Sequence, residues 1–490
     1  MSDIAVKINA SDNVAVMLKD VVKGADIFGV IALEDIGRGH KMSLCDIGEG
    51  ENIVKYGYPI GHATQAVQAG CRVHTHNLRT NLRGLLEYEY KPEEFVPLPK
   101  QLGTFCGYVR SDGRVGIRNE IWIVNTVGCV NKIAERIVKI ANERFKGRTD
   151  GIFTFVHPFG CSQLGDDHGF TQDVLKNMVG HPNAAGVLVL GLGCENNNIP
   201  EFKEVLGSWD DERVKFLNAQ DVDDEIESGL AIIEELVQYA EKFKRQDVCI
   251  SNLIIGLKCG GSDGFSGITA NPLVGRLSDD IIAHGGTSIL TEVPEMFGAE
   301  QILMNRCEDV TVFEKTVKLI NDFKGYFIKH DQEIYENPSP GNKDGGISTL
   351  EDKSLGCTQK GGTSQVVDVL DYGETVRKRG LNLLQGPGND IVAVTNLMAA
   401  GAHIVLFTTG RGTPLGAPVP TVKISSNSQL AHGKPSWIDF NAGTLLEGEN
   451  MDIAAQKFFD YIISVANGNQ TQNEINDYRE ISIFKDGVIL

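Results

Sequence analysis

Two regimes of hydrophobic patterning divide the chain. Over residues 1–90 the apolar runs are short (14–18, 27–33, 41–47, 52–58 and 72–77), and Gly24, Gly37, Gly39, Gly48, Gly57 and Gly61 punctuate them. Strand-length runs broken by turn residues predict a small all-β module. Residues 91–103 carry Pro92, Pro97 and Pro99 with little periodicity, so an extended linker is expected, continuing through a polar stretch to about residue 120. From 121 onward, nearly continuous apolar runs (121–127, 151–157, 185–192, 213–217, 252–257, 287–291 and 403–408) alternate with helical stripes. Ile133, Ile137, Val138 and Ile140 mark one stripe, and 224–243 and 310–328 mark others. That alternation predicts an α/β domain over 121–490, a doubly wound sheet of about seven mainly parallel strands with both faces covered. Residues 333–363 are too polar and too long for a plain connection, and are expected to form a loop-rich insertion, a lid or subdomain surface.

Composition narrows the function. The 490 residues suit about three domains. With 46 Lys plus Arg against 65 Asp plus Glu, the net charge is −19, a field that repels phosphate backbones and anionic lipid. Nucleic-acid and membrane roles are therefore set aside, and an anionic substrate needs a locally basic pocket. The ten cysteines contain no CxxC pair, and residues 1–13 lack a basic-then-apolar leader pattern. Free thiols in a cytoplasmic protein are the expectation.

Chemistry-bearing residues gather after the predicted strands, where open α/β sheets bind ligands. One strand runs into His157, Cys161 and His168, another into Cys194 and Glu195, a third into Lys258, Cys259, Ser262 and Asp263. In the β module His40, His74, His76, Asn77 and Arg79 cluster, and alternation along a strand would put His74 and His76 on one face. Arg110, Arg114, Arg118 and Asn119 form a basic patch. Gly191 and Gly193 supply only part of a dinucleotide fingerprint, which is weak support for a nucleotide-dependent oxidoreductase.

Long motifs in order, RGHK, HTHN, SDGRVGIRNE, TVGCVN, FGCSQLGDDH, LVLGLGCENN, GLKCGGSDGFSGITANP, TEVPEMFGAEQ, ENPSPGNKDGG, LEDKSLGCTQKGG, FTTGRGTPLG and PTVKISSN, make the sequence resemble the altronate and galactarate dehydratases over essentially its whole length. The resemblance implies an N-terminal module of SAF or β-clip type, a segment within 91–120 used for dimerisation, and a Rossmann-like C-terminal domain. It implies a hydro-lyase that removes water from a sugar acid, D-altronate first and galactarate as the alternative. It also implies a homodimer requiring Fe²⁺, with Mn²⁺ as a substitute. A sugar-acid binder without catalysis is the reading from another class.

Elimination needs a base for the C2 proton, an acid for the C3 hydroxyl and a cation at the carboxylate. Candidates for proton transfer are His74, His76, His168 and Lys258. Candidates for holding substrate are His40, Asn77, Arg79, Arg110, Arg118, Asn119, Ser262, Asp263 and Arg411. Candidate iron ligands are His157, Cys161, Cys194, Glu195, Cys259 and Glu292. A mononuclear site is favoured by the resemblance over an iron–sulfur cluster on Cys161, Cys194 and Cys259.

Overall fold

In the computed structural model, which describes residues 4–487, the β module is built from strands no longer than six residues. Ala5–Val6, Val14–Met17, Lys41–Ser43 and Arg72–Val73 form one antiparallel sheet, and Asn52–Lys55, Tyr58–Ala63 and Leu78–Arg79 another. Glycine permits their tight approach: a Cβ on Gly61, at φ +133°, would stand 2.1 Å from the Arg79 carbonyl oxygen. The module does not close its core alone. Val14, Ile47, Ile53, Ile60 and Val73 pack with Ala299 and Leu355 of the C-terminal half, and Val16 and Leu18 pack with Phe265. Hydrophobic burial across this seam fastens the module to the rest of the chain.

Residues 91–103 are extended, touching the body through Glu93 N–H to the Asn305 carbonyl and Gln101 N–H to the Ala283 carbonyl. Thr104–Val109 then pairs antiparallel with both Val115–Gly116 and Arg245–Cys249.

The alternating region contains two parallel sheets. Ile152–Thr154, Glu120–Asn125, Ala184–Gly191 and Val214–Asn218, in that spatial order, make a four-stranded sheet. A seven-stranded sheet runs Val366–Leu370, Gly380–Leu384, Thr287–Leu290, Ile254–Cys259, Ile404–Thr409, Thr421–Ser425 and Phe440–Asn441, every pair parallel. The expected doubly wound, seven-stranded parallel sheet is therefore present, but the first four predicted runs build a sheet of their own. Four further strands, from residues 366 to 441, complete the larger one. Periodicity identifies a buried strand; it does not say which neighbour the strand joins.

Residues 333–339 are irregular and, apart from Pro338, exposed or half-buried, but the rest of the 333–363 segment is not a surface loop. It folds into helices Pro340–Asp344 and Leu350–Cys357, and all eight residues of the second are buried. Its polarity serves internal ion pairs, which sequence composition reads as solvent exposure. Among the described residues no helix is long and apolar enough to cross a membrane.

Candidate active site

In the larger sheet the chain winds from Ile254–Cys259 through Thr287–Leu290 to one side, then returns to Ile404–Thr409 on the other. The crevice outside the carboxyl ends of Ile254–Cys259 and Ile404–Thr409 is thus a topological switch point, where such sheets bind ligands. A cleft of about 640 Å³ opens there. Asp263 and Arg411 from the two strand-end loops line it, with Arg38 of the β module and Asn427 and Lys434 beyond the sheet. Three cationic side chains at its walls face two carboxylates, Asp20 and Asp263, leaving one net positive charge in a protein of charge −19. Arg38 lies 4.8 Å over the Phe265 ring and donates to Gln429 Oε1 at 3.0 Å; Arg411 donates to the Gly341 carbonyl at 3.1 Å. Asp263 is fixed by Ser266 and Ser426 hydroxyls and by Asn427.

The β module borders this cleft through Asp20 and Arg38, next to Gly39 and His40 in the chain. A Cβ on Gly264 would stand 2.2 Å from the Gly39 carbonyl oxygen, so backbone rests directly on backbone. His40 and His74 meet edge to face with centroids 5.0 Å apart, and His74 Nδ1 is 3.0 Å from Ser348 Oγ. Burial, then the Lys41, His40 and Arg72 charges, lower His74 to about 4; burial and Lys41 also lower His40. Both imidazoles are neutral near pH 7. Behind them Asp352, fully buried, accepts from Lys41 Nζ at 2.8 Å and Lys55 Nζ at 2.9 Å.

A second ionic group lies deeper, under the carboxyl end of Ile254–Cys259. Glu292, held at φ +72°, accepts from Lys258 at 2.5 Å and Lys360 at 3.0 Å, and Glu295 accepts from Lys353 at 2.8 Å. A non-glycine residue at such a φ is strained and persists because the surrounding contacts fix it. Cys259 Sγ and Cys357 Sγ lie 3.2 and 3.1 Å from Glu295 Oε2 and 3.4 Å from each other. Among the described residues, these three place ligand-type donor atoms all within 4.8 Å of one another, a geometry able to hold a metal ion. With metal–sulfur bonds of about 2.3 Å, one ion reaches all three. Burial pushes the Glu295 carboxyl up, but Lys353, Lys258 and Lys360 hold it well below the usual carboxylate range.

The candidates from sequence separate. Lys258, Cys259 and Glu292 meet in the deep group, and Ser262, Asp263 and Arg411 lie at or beside the cleft. His74 and His76 do not share a strand face. Asn77 Oδ1 accepts from His74 N–H at 2.9 Å, closing a turn that leaves His76 exposed while Asn77 is buried. Arg79 is exposed on its strand. Arg110 and Arg118 are spent on structure: Arg110 donates to the Pro182 and Arg118 carbonyls and to Asn119, and Arg118 to Glu474 and three carbonyls. Asn119 also ties to the Ala240 carbonyl.

His157, Cys161, Cys194, Glu195 and His168 belong to the smaller sheet, so the six candidate iron ligands do not converge. Both ring nitrogens of His157 are engaged, by the Asn125 carbonyl and Phe159 N–H. His168 faces Glu201 at 3.1 Å. Glu195 accepts from the Thr126 hydroxyl and from Leu192 and Gly193 N–H, which outweigh burial and lower its pKa. Sequence reasoning missed Lys41, Lys55, Glu295, Asp352, Lys353, Cys357 and Lys360. A signal existed: Lys353, Cys357 and Lys360, at i, i+4 and i+7, make a polar stripe on one helical face.

Known proteins resemble this chain throughout. Residues 3–81 match the altronate/galactarate dehydratase SAF domain, 107–241 the D-galactarate dehydratase/altronate hydrolase second domain, and 250–489 the D-galactarate/altronate dehydratase C-terminal domain. The chain is 56% identical to the altronate dehydratase of Escherichia coli (strain K12), over 99% of each chain. It is 54% identical to that of Bacillus subtilis (strain 168), again over 99% of each. The galactarate dehydratase (L-threo-forming) of E. coli K12 is 33% identical, over 95% of this chain and 93% of its own.

Proposed function

The chain belongs to the D-galactarate/altronate dehydratase family, and from that premise we propose that it is a hydro-lyase converting D-altronate to 2-dehydro-3-deoxy-D-gluconate and water. The observation that carries the substrate is identity above one half with two altronate dehydratases over 99% of both chains, against 33% with the galactarate enzyme.

The cleft suits an elongated, polyhydroxylated anion. Arg38, Arg411 and Lys434 bind its carboxylate, and the remaining lone pairs of Asp263, which Asn427 orients, accept from hydroxyls. Proton transfer falls to the His40–His74 pair: a neutral His74 takes the proton beside the carboxylate, and an imidazole so protonated is then an acid for the departing C3 hydroxyl. Lys41 supplies positive charge behind the pair. Cys259, Glu295 and Cys357 would hold the metal ion, and two sulfur donors would favour iron over manganese. A metal ion held there would supply Lewis-acid charge for the elimination. A cytoplasmic homodimer completes the reading.

The test is an anaerobic assay with added iron(II), detecting 2-keto-3-deoxy products from altronate, galactarate and gluconate. The highest kcat/KM is expected for altronate. A higher value for galactarate overturns the substrate assignment and spares the reaction class; no keto product from any acid overturns both.

A further inference from the structure

The four-stranded sheet has a switch point too. Its chain leaves Glu120–Asn125 for Ile152–Thr154 on one side and then crosses to Ala184–Gly191 on the other. To the carboxyl edge around that point the sequence delivers three Gly-Cys pairs, Gly128-Cys129, Gly160-Cys161 and Gly193-Cys194, one after each of three adjacent strands. Packing does not account for them. Free cysteine is among the most buried residue types, as Cys259, Cys307 and Cys357 are, yet Cys129, Cys161 and Cys194 are all exposed.

Their loops are tied to one another. Gly128 N–H donates to the Phe159 carbonyl at 2.9 Å, Asn197 N–H to the Gly160 carbonyl at 3.0 Å, and Ser162 N–H to Asn196 Oδ1 at 2.8 Å. Two of the glycines permit this contact. A Cβ on Gly160 would stand 2.0 Å from the Thr126 carbonyl oxygen, and one on Gly128 2.7 Å from that of His157. Glu195 is consumed in shaping the third loop, and Gln220 Nε2 donates to Cys194 Sγ at 3.6 Å.

We propose that Cys129, Cys161 and Cys194 are the protein ligands of an iron–sulfur cluster at this edge, separate from the Cys259–Glu295–Cys357 group. Their spacing rules out one ion bound by all three. A single thiolate-bound ion needs its sulfurs within about 4.6 Å, twice a bond of about 2.3 Å. Among the described residues, Cys259, Glu295 and Cys357 meet a 4.8 Å spacing, and the three strand-end cysteines do not. Several irons bridged by sulfide reach farther than one ion, and thiolate is their usual ligand. With three thiolates, one iron of a four-iron cluster carries a non-protein ligand.

The full-length protein, reconstituted anaerobically with ferrous iron and sulfide and desalted, is expected to hold acid-labile sulfide and visible absorbance. Cys129→Ser, Cys161→Ser and Cys194→Ser should each lower both to the background of unreconstituted protein, with unchanged circular dichroism. Cys249→Ser, at another exposed cysteine, and Cys259→Ala, in the deep group, should keep the sulfide. Wild-type protein that takes up no labile sulfide overturns the proposal. So does sulfide that survives in the three serine variants, which would be adsorbed iron sulfide, or uptake of one metal ion without sulfide.

Discussion

Replacing Asp352 by Asn is expected to destabilise the seat of the β module by about 3–5 kcal/mol, the usual cost of breaking a buried ion pair by removing one partner. Lys41, Lys55 and Asp352 all have side chains at most 2% exposed, and the asparagine would leave two ammoniums in a dry seam without an anion. Burial already lowers Lys41 to about 8 with Asp352 in place. Both lysines come from the β module and Asp352 from helix Leu350–Cys357, so the damage falls on the joint between them. A multidomain chain need not unfold in one step. The readouts are therefore the first transition in a urea titration and the rate of proteolysis within 91–103. The transition should move to lower urea and cleavage should quicken. Lys41→Met added to Asp352→Asn should recover part of the loss, because one uncompensated charge disappears. The acid sign also follows: two lysines hold the Asp352 carboxyl well below its ordinary range, so its stabilisation is present at neutral pH and lost in strong acid. The Asp352→Asn protein should lack that acid-sensitive component. An unmoved first transition and unchanged proteolysis would remove the triad from the joint.

The same triad shows what the sequence carried and what it did not. Runs such as 185–192 and 403–408 read as buried parallel strands because apolar residues occupy both faces, and Ala184–Gly191 and Ile404–Thr409 are such strands. The division into two sheets was illegible, since it depends on long-range pairing between runs of similar composition. Arg411 entered only as a substrate-contact candidate, whereas the strand-end rule brought Lys258, Cys259 and Asp263 to one sheet edge because chain order and sheet polarity determine it. It pooled Cys161 and Cys194 with Cys259, as three strand ends look alike until each is assigned to its sheet. Charge was the most misleading signal. Arg110 and Arg118 looked like an anion patch and are only 4% and 3% exposed, while the buried 350–357 segment looked like surface. An ion pair whose partner lies hundreds of residues away has no local signature: Lys41 and Asp352 are 311 apart. The His74–His76 spacing failed for a local reason, since Asn77 favours a side-chain-closed turn over a continuing strand.

His74→Gln is expected to lower kcat on altronate by about 10²–10⁴-fold, the contribution typical of a positioned acid or base, with little change in KM. Glutamine can still hydrogen-bond Ser348 but cannot take a proton at working pH, so the substitution separates proton transfer from packing. The pH profile adds a readout that a structural role would not move. A base must be unprotonated to act, and His74 is lowered to about 4 by burial and by Lys41, His40 and Arg72, with Asp352 pulling the other way. The wild-type acid limb from this group should therefore fall near pH 4, well below the ordinary imidazole range, and the His74→Gln protein should lose that limb along with the rate. Asp352→Asn supplies a coupled check. Removing the one carboxylate that raises His74 leaves the imidazole harder to protonate, so protein that remains assembled should show a limb no higher than wild type. Retention of kcat within a few-fold in His74→Gln, with the acid limb in place, would take His74 out of the chemistry and leave proton transfer to a group other than this pair.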